Sequence, residues 1–208
     1  MSWLSFVFKD VFHLVHFSVI SGRLLNLMGW RSRKMSHMSY FRLLAQCNLW
    51  MNEKLHNVCE SLPTHIIKKG LHSYFNSIFG TFNYLLLVDI ILMFRFTQQS
   101  FHVTGLSKQP HSDFPSFRED RELTDHAITH FIEHLSTRDL GQILLYPSLV
   151  KPQPRLSMLW DALTYFLSHQ THHRAQITTP LSPLEVDVGV TNLFHLPDLM
   201  SRGSDIKH

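Results

Sequence analysis

Residues 73–96 constrain the fold of this chain more than any other stretch. Through Leu85-Leu-Leu-Val88 and Ile90-Ile-Leu-Met93 they are apolar on nearly every side of a helix. A helix without a polar face must be covered by other helices. A bilayer would need roughly 20 predominantly apolar residues, and this shorter run is interrupted by Asp89. The sequence therefore predicts a central core helix, with no stable membrane insertion.

Three further helices supply the cover. Between residues 40 and 62, Phe41, Leu44, Leu49, Met51, Leu55 and Val58 recur at mostly three- to five-residue steps, and Pro63 closes the segment. Residues 117–135 are amphipathic, with Leu123, Ile128, Phe131 and Leu135 on one face. Residues 157–179 form the last helix, expected to end before Pro180 and Pro183 because proline disfavours the helical conformation in the residue before it. Residues 97–118, with Gly105, Pro110 and Pro115, make a long connection between the middle helices, and residues 141–154 read as a proline-bounded loop. No strand alternation or internal repeat stands out. The prediction is an all-α fold built as a four-helix bundle.

The 208 residues suit one domain with length left over. Residues 38–200 hold the bundle, 1–37 an N-terminal extension and 201–208 a tail. Within residues 1–34 the apolar runs are broken by Lys9 and Asp10. They read either as an extra amphipathic helix or as a leader, with translation starting near Met35 or Met38. A formal net charge of +3, with no basic run beyond Arg31-Ser-Arg33-Lys34, gives no reason to expect a nucleic-acid partner. Cys47 and Cys59 are twelve residues apart on one helix and so too far apart to bridge, which predicts two reduced thiols in a cytoplasmic protein.

Sixteen histidines are the unusual feature of the composition, and histidine is the commonest metal ligand. His169 and His173, four apart in the last helix, leave one face a turn apart and can grip one ion. At about 100° per residue, both border the stripe of Leu159, Leu163, Phe166, Gln170 and Ile177, whereas His172 points to solvent. Arg174 is expected at the surface or in a salt bridge. His126, His130 and His134 repeat the four-residue spacing in the third helix, but opposite its apolar stripe. They read as a solvated face on which surface metal would confuse a binding assay. Gln170, not glutamate, follows His169, so the metalloprotease pattern fails. Glu53-Lys-Leu-His56 is a single Glu-x-x-His, one short of a di-iron bundle.

Ser168-His-Gln-Thr-His-His-Arg-Ala-Gln176, with Val186-Asp-Val-Gly-Val-Thr191 after it, resembles the closing helix and tail of the DinB (damage-inducible) family of metal-binding bundles. Phe41-Arg-Leu-Leu-Ala-Gln46 with Asn48-Leu-Trp-Met-Asn-Glu53 is similar to its opening helix, Ser77-Ile-Phe-Gly-Thr-Phe-Asn83 through Asp89 to its second, and Ser116-Phe-Arg-Glu-Asp-Arg-Glu122 to its third. The resemblance implies an up-down-down-up bundle, a homodimer in many members, and a divalent metal (zinc, nickel or iron) held by three histidines. Two of these match His169 and His173. The third belongs directly after Asn83, where this chain has Tyr84. A neutral phenol, with an unperturbed pKa of about 10, is a poor ligand for zinc or nickel, although ferric iron accepts a tyrosinate. Metal is therefore expected to be weak or absent. Two functions follow from the resemblance. One is a metal-dependent enzyme acting on a low-molecular-weight thiol or another small molecule, in transfer or hydrolysis, with Gln170 or Arg174 orienting substrate. The other is a non-catalytic bundle whose metal site is vestigial.

Overall fold

The computed structural model describes residues 36–71, 75–99, 109–147, 153–197 and 199, all of which fall within one compact unit, Met35–Ser204. The readings of residues 1–34 and 201–208 lie outside the described residues.

The chain is mostly helical. In order come α1 (His37–Glu60), the short α2 (Thr64–Ile67), α3 (Ile78–Phe96), α4 (Phe114–His134) and α5 (Leu159–Leu181). Local chemistry sets three of the starts. Ser36, Ser77 and Asp113 each take an extended conformation and accept a hydrogen bond from the backbone N–H three residues on, which satisfies a donor the helix cannot pair itself. Pro115 sits in the first turn of α4, where its missing N–H costs nothing. As expected, α3 is mostly buried, and it is long and apolar enough by composition to cross a membrane. Here its cover is protein.

Both α1 and α3 pack against α4 and α5, and their side chains build two apolar clusters. One gathers Phe41 and Ala45 of α1, Leu92 and Phe96 of α3, Ile128 and Ile132 of α4, and Leu163 and Phe166 of α5. The other gathers Leu55 and Cys59, Phe79 and Phe82, Phe114 and Phe117, and Ile177 and Leu181 from the same helices in the same order. Hence α1 and α5 run from the first cluster to the second, and α3 and α4 run from the second to the first.

Three expectations are corrected. The segment read as loop 141–154 contains strand β1 (Ile143–Tyr146), paired antiparallel with β2 (Arg155–Met158) in the register Ile143↔Met158 to Tyr146↔Arg155. Only Leu144 of β1 is buried while Ile143 and Leu145 face out, so the apolar run showed no alternation to read. Helix α5 does not stop before Pro180 but carries it and ends at Leu181. So close to the end, proline removes one backbone bond, and complete burial of Leu181 anchors the last turn. Leu123, assigned to the inward face of α4, is 64% exposed, because Arg121 and Asp125 take the inward positions around it.

Candidate functional site

The α3–α5 seam brings together the three residues singled out in the sequence. Tyr84 projects from α3, and His169 and His173 from α5. Ring centroids lie 5.8 Å apart for Tyr84–His169, 5.0 Å for Tyr84–His173 and 4.4 Å for His169–His173. His173 is buried, His169 and Tyr84 are partly so, and His172 faces solvent, which is the order the helical geometry predicts. Phe75, just before α3, stacks on Tyr84 at 4.1 Å and meets His173 edge-on at 5.3 Å. Gly80 permits that lid. A Cβ at position 80 would sit 2.0 Å from the Phe75 carbonyl oxygen, so any larger residue would push the Phe75 backbone away from Tyr84.

Both imidazoles are held in the form that binds metal. Burial, reinforced by His173 and then His172, lowers the His169 pKa to about 4. Burial also lowers His173, against the hydrogen bond to Gln176. His173 Nδ1 lies 2.7 Å from Gln176 Oε1, and Gln176 Nε2 lies 3.3 Å from His172 Nε2. With the amide in this orientation its oxygen can only accept, so Nδ1 of His173 carries the proton and Nε2 keeps its lone pair. Nδ1 of His169 is buried without a hydrogen-bond partner among the described residues, an arrangement that costs stability unless something fills it.

Directly beside these two histidines, α5 turns a second pair inward. Gln170 Nε2 donates to Asp89 Oδ1, and Arg174 donates to Asn48 Oδ1. Asp89 also accepts from Arg121 at 2.5 Å, Arg121 donates to Asp125 at 2.7 Å, and Asn52 donates to Asp125 at 2.9 Å. All seven residues are buried. On α1, α4 and α5 they fall between the positions that feed the two apolar clusters, as Asn48 and Asn52 do between Ala45 and Leu55. They form a polar layer across the core with two acids and two arginines. Burial raises the Asp89 pKa to about 6 against the pull of Arg121, and lowers Arg174 to about 10. Arg174 is thus not at the surface, contrary to expectation, and Gln170 and Arg174 are engaged in the core instead of facing a ligand.

Sequence reasoning missed this layer, although a signal existed. Asn48/Asn52, Arg121/Asp125 and Gln170/Arg174 are polar pairs four apart on three different helices, each set into an apolar stripe.

The remaining candidates separate as predicted. His126, His130 and His134 are all exposed. Glu53 is exposed while His56 is buried among Phe82, Phe114 and Phe117, so the Glu-x-x-His pair does not act together. Cys47 and Cys59 are free. Among the described residues no three His, Cys, Asp or Glu side chains converge on one point. The seam therefore brings together two histidines and a phenol.

A model of the DinB family matches residues 35–194. No curated protein and no solved structure matches the chain.

Proposed function

The chain belongs to the DinB family, and from that membership and the geometry of the α3–α5 seam we propose that it is a weak divalent-metal-binding protein with a reduced DinB-type site. The fold that goes with this reading is an up-down-down-up four-helix bundle. It is supported by the opposite order in which α1 and α5, against α3 and α4, traverse the two apolar clusters.

The observation that carries the proposal is the convergence of His169 and His173 on Tyr84, with burial disfavouring protonation of both imidazoles and, among the described residues, no hydrogen-bond partner for the buried Nδ1 of His169. His169 and His173 would hold the ion, and Tyr84 would border it. A metal bound there would act as a Lewis acid that lowers the pKa of a coordinated water or thiol. The chain's own residues do the rest. Gln176 Oε1 accepts from Nδ1 of His173, Phe75 stacks on Tyr84, and Gln170 ties α5 to Asp89 of α3. A low-molecular-weight thiol is the substrate class this reading favours.

The alternative is a bundle whose site is vestigial. It is supported by the absence, among the described residues, of a third His, Cys, Asp or Glu at the seam. Zinc affinity of the full chain, measured by competition with a chromophoric chelator, separates the two. Measured in a His130→Ala/His134→Ala background, which removes surface metal from α4, a metal-binding seam loses its zinc on adding His173→Ala, whereas unchanged zinc binding would reject it.

A further inference from the structure

Outside the seam, two histidines on α4 lie one helical turn apart with their rings in contact. His130 and His134 are exposed and four residues apart, and their rings lie 4.1 Å apart between centroids at an interplanar angle of 33°. His134 Nδ1 is 2.8 Å from the carbonyl oxygen of His130. A carbonyl can only accept, so Nδ1 carries the proton and the Nε2 lone pair of His134 is directed away from the backbone.

We propose that His130 and His134 form a second, solvent-facing metal site for borderline divalent ions such as Cu(II), Ni(II) or Zn(II). Two imidazoles one helical turn apart, tilted by 33°, can place both free nitrogens on one ion at roughly 2.0–2.1 Å, with side-chain rotations that the exposed surface permits. Water completes the coordination. Imidazole donors select these ions over magnesium and calcium, which prefer oxygen. Neighbouring charge does not supply the site, because Arg42 donates to the carbonyls of Glu133 and Leu135 and already engages the end of α4. The two rings are the donors the site depends on. His126 lies one turn earlier on the same face, but among the described residues ring contact joins His130 to His134 and not to His126. The site is independent of the reading made for Tyr84, and a metal count on the parent protein therefore adds two sites together.

Equilibrium dialysis of the full chain against Ni(II) tests the proposal. A His169→Ala/His173→Ala variant is expected to keep one Ni(II) site. Adding His130→Ala or His134→Ala should weaken that site by roughly tenfold or more, since a chelate is reduced to single ligands. Adding His126→Ala should leave it unchanged. The same step is expected when His130→Ala is made in the parent, whose core is untouched by this surface substitution. Nickel binding that is indifferent to His130 and His134, equally sensitive to His126, or missing altogether would overturn the proposal.

Discussion

At the scale of single residues, the seam turns on Tyr84 and on the glycine that lets Phe75 cover it. Methyl-sized additions at Gly80 meet the Phe75 carbonyl at a distance real atoms do not adopt. Gly80→Ala is therefore expected to lower stability by about 1–3 kcal/mol, the usual cost of overpacking. The loss would appear as a lower urea midpoint with an unchanged slope; a midpoint equal to the parent's would show that the lid before α3 is not held by close packing. That Tyr84, His169 and His173 meet was legible because three facts coincide in the sequence. The pair at 169 and 173 has ligand spacing, it borders an apolar stripe, and the family resemblance puts position 84 opposite it. The protonation states were not legible. They depend first on how deeply the two rings are buried, which spacing alone does not show.

At the scale of elements, apolar periodicity identified all four long helices and missed what lies between and within them. The hairpin escaped because Ile143 and Leu145 are apolar and exposed, so β1 lacks the alternation that marks a half-buried strand. The polar layer escaped because a buried arginine or aspartate looks, residue by residue, like a solvated face. It becomes recognisable only when helices are compared and their polar pairs fall at matching depths. Its energetics can be tested directly. Arg121 faces both Asp89 and Asp125 inside the core. Removing it in Arg121→Met strands two buried carboxylates, which is expected to cost about 3–5 kcal/mol. Thermal or urea unfolding reads the loss, and a change within error of zero would mean that the layer is hydrated and contributes no tie between helices.

At the scale of the whole molecule, acid should be the condition that loosens this fold. Burial, with Arg121 and Arg118 adding to it, lowers the His56 pKa from 6.5 to about 3, and His169 falls to about 4. A histidine whose folded pKa is depressed binds fewer protons in the native than in the unfolded state. Its contribution is complete above pH 6.5 and is lost as the pH falls towards the folded value. Asp89 works in the opposite sense, because its folded pKa is raised from 3.8 to about 6, so its contribution is fullest in acid and is lost as the pH rises through 6. The histidine shifts are together larger, and stability is expected to fall between pH 6.5 and 4. Replacing His56 with leucine, among three phenylalanine rings, should flatten that decline. An equally steep decline in His56→Leu would assign the acid sensitivity elsewhere.

The central claim is that Tyr84 stands where a DinB-type site keeps its third ligand. Metal content by plasma mass spectrometry, after mild chelation, compares the parent with Tyr84→His. The account predicts that Tyr84→His retains about one divalent ion per chain in a three-histidine site, that the parent retains far less, and that adding His173→Ala removes the gain. A Tyr84→His protein that holds no more metal than its parent, or whose extra metal survives His173→Ala, would contradict it.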